Sequence, residues 1–209
     1  MIIDYKNKLV FLATTKTAST SIEKCLSPLG YTGWIGGQAG LKHSSLKVLN
    51  KIRKPLGLDD FATWCIVRHP VEKLISWYNF RSRPQIKHKA RYLGNKSFSE
   101  YLDTMTKQDK RGTNDSLFTC TKSGQSVDLM FALPDVDEWQ GFLKTVYGIT
   151  EVPRENVSKD YGKKYKPTDD ELNRAKELLV DEIGQYEALK KSTLSEAMEF
   201  LSAKKEAEA

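Results

Sequence analysis

Two short stretches of this sequence concentrate groups that bind anions. Thr14 to Ser21 (TTKTASTS) places one lysine, Lys16, among the hydroxyls of Thr17, Ser19, Thr20 and Ser21. Cys65 to Tyr78 (CIVRHPVEKLISWY) carries Arg68 just before a proline, with Ser76 eight residues further on. A lysine supplies a point charge, hydroxyls supply donors, and the planar fork of a guanidinium takes a phosphate bidentately. Together these groups suit a ligand with more than one phosphate-like anion.

The surrounding elements explain how such groups would be held. Lys8 to Ala13 (KLVFLA) is a short continuous apolar run, as expected of a strand buried on both faces, and Ser19 to Leu26 reads as a helix. Lys16 therefore lies in a loop between a strand end and a helix start. Ligands of parallel α/β sheets bind there, against unpartnered N–H groups and the positive end of the helix dipole. The loop is not a Walker A loop, because no glycine precedes Lys16. By itself it equally describes an N-capped helix with one surface lysine.

The same order recurs twice. Thr63 to Val67 (TWCIV) reads as a strand, and Val71, Leu74, Ile75 and Tyr78 have helical spacing behind Pro70 at the helix start. Val127 to Leu133 (VDLMFAL) reads as a third strand. A helix is predicted over Val136 to Tyr147, with Asp135 and Glu138 at capping-box spacing and Gly148 as its C′ residue. Strands alternating with helices predict an α/β fold with a parallel sheet. Further on, Thr168 and Glu171 form another capping box before the stripe Leu172, Ala175, Leu178, Leu179, Ile183, Tyr186 and Leu189. Phe98 to Met105 has the makings of a short helix, Gly33 to Gly40 reads as a glycine-rich loop, and residues 203–209 read as a frayed, solvated tail.

With the motifs laid out, a resemblance emerges. Ala13 to Ile22 (ATTKTASTSI) resembles the 5′-phosphosulfate loop of sulfotransferases that use 3′-phosphoadenosine-5′-phosphosulfate (PAPS). Ile66 to Tyr78 (IVRHPVEKLISWY) resembles their 3′-phosphate motif, in the family's order. The branch it looks most like is the carbohydrate type, which includes the heparan 2-O and chondroitin enzymes and small bacterial relatives. The resemblance implies a single P-loop-like three-layer α/β domain over residues 1–209, with a central parallel sheet flanked by helices. It implies that Lys16 contacts the 5′-phosphate and the bridging oxygen of the leaving group. Thr17, Ala18, Ser19, Thr20 and Ser21 would wrap the 5′-phosphosulfate, and Arg68 and Ser76 would bind the 3′-phosphate. Asn156 to Lys166 (NVSKDYGKKYK) is similar to a basic loop near the cofactor, which would bring Lys163 and Lys164 to the nucleotide. One segment departs from the family: Met130 to Pro134 lacks the acidic residue often found after the third strand.

The implied reaction is an in-line displacement at sulfur with PAP as product, in which positioning and charge stabilisation dominate. The chemistry needs no metal, and no metal-ligand cluster is visible. His43, in Leu41 to Leu46 (LKHSSL), occupies the place where the resembled enzymes carry a general base, and a neutral imidazole is available at neutral pH. His69 reads as a turn residue beside Pro70, and His88 sits among Lys87, Lys89 and Arg91. The basic stretch Arg81 to Arg91 (RSRPQIKHKAR) either contacts an anionic acceptor, such as a glycan, or is a solvated loop.

Composition is compatible with this reading. The 209 residues are 39% hydrophobic and 29% charged, and the net charge of +6 favours anionic partners. Cys25, Cys65 and Cys120 suggest reduced thiols rather than a disulfide framework. No signal peptide or bilayer-spanning run is visible, which predicts an unanchored cytoplasmic protein. No DNA- or RNA-binding motif is recognisable. The competing readings are a P-loop-type kinase, which should carry the missing glycines and depend on ATP and Mg²⁺, and a nucleotide-binding protein without catalysis.

Overall fold

The chain begins with a hairpin. In this computed structural model, which describes residues 1–29, 32–33, 42–153 and 165–208, β1 (Ile2–Asp4) pairs antiparallel with β2 (Leu9–Leu12). Asp4 closes the turn: its carboxylate accepts the N–H groups of Lys6 and Asn7 and the Asn7 side-chain amide. Residues that follow make α1 (Ser19–Leu26), β3 (Thr32–Gly33), α2 (Leu46–Ile52), β4 (Ala62–Val67) and α3 (Pro70–Arg81). Then come α4 (Phe98–Asp103), α5 (Lys107–Thr113), a single turn at Ser116–Thr119, β5 (Leu129–Ala132) and α6 (Val136–Tyr147). The described chain ends with α7 (Asp169–Leu178), α8 (Val180–Glu187) and α9 (Leu194–Glu208).

Among the described residues the strands form one sheet in the order β3-β1-β2-β4-β5. β2, β4 and β5 run parallel, with Leu12 opposite Cys65 and Val67 opposite Ala132, as the strand–helix alternation predicts. The N-terminal hairpin makes the sheet mixed rather than wholly parallel, because β1 and β3 join it antiparallel. Extended residues beyond α8 cover the outer edge of β5: Ser192 N–H donates to Met130 O at 2.6 Å, and Met130 N–H donates to Ser192 Oγ at 3.1 Å. This pairing removes an open edge that would otherwise template aggregation.

Contacts gather the chain into two compact units. One comprises Met1–Val67, Leu117–Glu155 and Lys190–Ala209, and the other Arg68–Ser116 and Asn156–Leu189. The first unit holds the sheet. Leu9, Phe11 and Ala13 of β2 and its exit, Ala62, Trp64 and Ile66 of β4, and Leu129 and Phe131 of β5 turn to one core with α1, α6 and α9. Their alternates Val10, Leu12, Cys65, Val67 and Met130 are buried too, so these strands are apolar on both faces. Trp64 anchors this core, with ring centroids 4.3 Å from Phe11 and 5.1 Å from Phe142. Gly148 adopts φ +70° and stops α6 with its N–H on Lys144 O, as its position predicts.

Two expectations for this unit need correction. Asp135 makes no side-chain cap, and Glu138 instead accepts the N–H of Leu194 at the start of α9. The C-terminal stretch from Ala203 is not frayed through Glu208, since α9 runs to that residue.

The second unit is helical. Val71, Leu74 and Tyr78 of α3 pack with Phe98, Tyr101 and Leu102 of α4 and with Ala175 and Leu179. Full capping boxes start α4 (Ser97 with Glu100), α5 (Thr106 with Asp109) and α7 (Thr168 with Glu171). The long apolar stripe read from 172 to 189 is two helices, broken at Leu179 where φ is −114° and ψ 21°.

Candidate active site

The loop between β2 and α1 is fixed from inside. Thr14 Oγ1 donates to Ile66 O of β4, which commits its only proton. Thr17 Oγ1, 2.8 Å away, then donates back to Thr14, with Thr14 O at 3.0 Å. Both threonines are buried, so the Thr17 hydroxyl ties the loop to the sheet rather than facing a ligand. Beside the Lys16 side chain, what this segment can offer an anion is main-chain N–H.

The backbone shape fits that role. Lys16 and Ala18, on either side of Thr17, have φ of 62° and 59°, in the left-handed region that non-glycine residues rarely adopt. Each such residue costs about 1–2 kcal/mol. Conformations of this kind turn successive N–H groups to one side and make anion-binding concavities. α1 starts at Ser19 with no side-chain cap, and its first intrahelical bond is Ile22 N–H to Ala18 O. The hydroxyl of Thr15, the residue before Lys16, is buried without a hydrogen-bond partner. A buried unpaired hydroxyl is costly. The sequence motif contained Thr15, but spacing alone cannot tell which hydroxyls of a threonine-rich loop turn inward.

His43 reaches this loop from the lead-in to α2. Its Nδ1 lies 2.6 Å from the carbonyl oxygen of Ala13, the residue that leaves β2. A carbonyl only accepts, so Nδ1 carries the proton, and the neutral ring has its lone pair on Nε2. Burial holds the imidazole below its ordinary value of 6.5; the Ala13 bond opposes that shift, Lys42 adds to it and Glu23 opposes it. The ring is half-buried, not the solvated ring of an unremarkable helix lead-in. Lys42, which the motif reading passed over, forms an ion pair with Glu23 at 2.5 Å and donates to Thr20 Oγ1 at 3.2 Å. Lys16, Thr20, Lys42 and His43 thus belong to one end of the sheet unit.

Arg68 directly follows β4, in the helical unit. Its N–H donates to Asp115 Oδ2 at 2.9 Å, and its Nε lies 3.4 Å from Glu72 Oε2. Burial lowers the guanidinium pKa, opposed by Glu72 and Asp115. Glu72 and Ser76, which is half-buried, are four apart on α3 and share one helix face. His69 is the N-cap of α3, with its ring 5.4 Å from Tyr186, and has the turn role expected of it. Within the basic stretch, Arg81 is internal. It pairs with Asp109 at 2.6 Å and bonds Tyr101 OH at 3.0 Å, while Lys87, His88, Lys89 and Arg91 are exposed. Lys163 and Lys164 lie outside the described residues. Among the described residues no group of three or more His, Cys, Asp or Glu side chains could hold a metal ion, and no helix is long and apolar enough to cross a membrane.

Residues 1–183 match the model of the sulfotransferase family. The chain belongs to the sulfotransferase family, and its α/β fold, with a central sheet flanked by helices, is consistent with a P-loop-like architecture. It is therefore a transferase acting on sulfuryl groups, with a hydroxyl-bearing acceptor. No curated protein and no solved structure matches the chain.

Proposed function

We infer that the protein transfers the sulfuryl group of PAPS to a carbohydrate hydroxyl, with His43 as general base. The observation that carries this reading is the bond from His43 Nδ1–H to Ala13 O, which leaves a neutral Nε2 lone pair on a ring tied to the anion-binding loop. PAPS, when bound, supplies a sulfuryl group attached through oxygen to a phosphate leaving group. The left-handed loop at Lys16 and Ala18, the buried Thr15 hydroxyl and the uncapped start of α1 fit its 5′-phosphosulfate. Lys16 would balance the charge that collects on the leaving phosphate. Arg68 and Ser76 would take the 3′-phosphate, with Glu72 giving up its long contact to the guanidinium. Nε2 takes the acceptor's hydroxyl proton as the new O–S bond forms. Burial and Lys42 disfavour the resulting imidazolium, which therefore sheds its proton readily.

An anionic glycan is the acceptor class that the exposed cations Lys87, Lys89 and Arg91 favour, since no Asp or Glu occurs between Lys73 and Ser99 to neutralise them. Calorimetric titration with 3′,5′-bisphosphoadenosine (PAP), ATP and AMP, without metal and again with Mg²⁺, tests the cofactor assignment. Tight binding of PAP alone is expected. No binding, or a preference for ATP with Mg²⁺, overturns it in favour of a kinase-like or non-catalytic protein.

A further inference from the structure

Among the described residues of the helical unit, Lys73 and Asp115 form a fully buried ion pair. Lys73 is on α3, where helical spacing makes Val71, Leu74 and Tyr78 the core positions, yet its side chain is 0% exposed. Its partner is the equally buried Asp115, 42 residues away in sequence, whose Oδ1 accepts the lysine Nζ. The second carboxylate oxygen, Oδ2, accepts the main-chain N–H of Arg68. Asp115 is itself held on both flanks. The side chain of Asn114 accepts the N–H and hydroxyl of Ser116, at 3.0 and 2.6 Å, and both residues bond Gln185 of α8.

We propose that Asp115 is a positioning residue that fixes the main chain at Arg68, and so aims the guanidinium at the 3′-phosphate of the nucleotide, with Lys73 as its buried counter-ion. The inference rests on the reading of Arg68 as a 3′-phosphate ligand. Oδ1 meets the Lys73 ammonium, which opposes the upward push of burial on the carboxyl pKa, and Oδ2 anchors the residue that leaves β4. A buried ion pair is seldom a net gain in stability over apolar residues of similar size. A geometric role for the second oxygen accounts for its presence here. Asp115 cannot act on substrate directly, because it is sealed from solvent.

The test separates the anchor from the charge. Asp115→Asn alone would strand the Lys73 ammonium and threaten folding, so two double variants are compared. Lys73→Met with Asp115→Asn removes the ion pair but keeps a carbonyl oxygen for the Arg68 N–H. Lys73→Met with Asp115→Leu removes the acceptor as well. Affinities for PAP and for AMP, which lacks the 3′-phosphate, are measured by calorimetry, and exchange of the Arg68 amide is followed by hydrogen–deuterium exchange. The leucine variant should lose about tenfold in PAP affinity, the scale of one weakened charge-assisted hydrogen bond to the phosphate, with AMP binding unchanged and the Arg68 amide exchanging faster. The asparagine variant should keep the PAP preference and the protection of wild type. Equal PAP affinity in both variants, or equal losses for PAP and AMP, overturns the positioning role. A wild-type protein that does not prefer PAP to AMP refutes the 3′-phosphate reading instead. Even then, unchanged Arg68 exchange in the leucine variant would independently refute the anchor.

Discussion

Replacing His43 by alanine removes the proposed general base, the ring bonded to Ala13 at the end of β2. The structural cost is the single bond to Ala13 O and the packing of a half-buried ring. One hydrogen bond is worth about 1 kcal/mol, against a total stability of about 5–15 kcal/mol for a typical domain. The variant should therefore stay folded, with a melting temperature lower by about 2–4 °C. The loop itself is held by Thr14 and Thr17 against Ile66, not by His43, so PAP affinity should change by less than about twofold. The chemical step should suffer far more. Loss of a positioned general base costs about 10²–10⁴-fold in kcat, or about 3–5 kcal/mol of barrier. The assay is transfer from labelled PAPS to an acceptor identified by screening, with single-turnover rates alongside PAP titrations. His43→Asn is a useful companion, since its amide can still donate to Ala13 O but cannot accept a proton at neutral pH. Near-normal turnover in either variant refutes the base assignment. Parallel losses in PAP affinity and turnover would refute it too, by making His43 a binding residue.

Further expectations concern the same two regions. Arg68→Ala should weaken PAP and PAPS at least tenfold more than adenosine 5′-phosphosulfate, and equal losses for all three would exclude a 3′-phosphate contact. Because burial lowers the His43 pKa, the acid limb of kcat/KM should fall below pH 6.5. Lys42→Met removes a charge that lowers that pKa and leaves Glu23, which raises it, in place, so the limb should move up; a downward shift contradicts the electrostatics. A lowered native pKa also means that His43 costs no stability above pH 6.5, and that stability falls as pH drops from 6.5 through the folded value, which acid titration of the melting temperature can follow. Ala18→Gly relieves a left-handed alanine and should raise stability by about 0.5–1 kcal/mol, read by denaturant titration; destabilisation would show that the Ala18 methyl is needed for packing.

Features set by local physics were legible in the sequence. The strands β2, β4 and β5 follow from continuous apolar runs, α3 from its 3.6-residue period behind Pro70, and the end of α6 from a glycine that tolerates positive φ. The Thr168–Glu171 box formed because both partners lie within one helical turn. The Asp135–Glu138 box has the same spacing and did not form; Glu138 instead accepts the N–H of Leu194, 56 residues beyond it. The candidate site divides along the same line. Composition and order of the two motifs pointed to Lys16 and Arg68, and the family resemblance to His43, but only the fold turns Thr17 inward, leaves Thr15 without a partner and brings His43 to Ala13 across 30 residues. Lys73 and Asp115 left no local trace. A charged residue on an apolar helix face looks like an error until the chain supplies its counter-ion, and no periodicity encodes a partner 42 residues away. Local sequence thus determined which segments coil or extend and which residue types could do chemistry; the tertiary structure decided which polar groups meet, because burial makes each one find a partner and the partners come from distant parts of the chain.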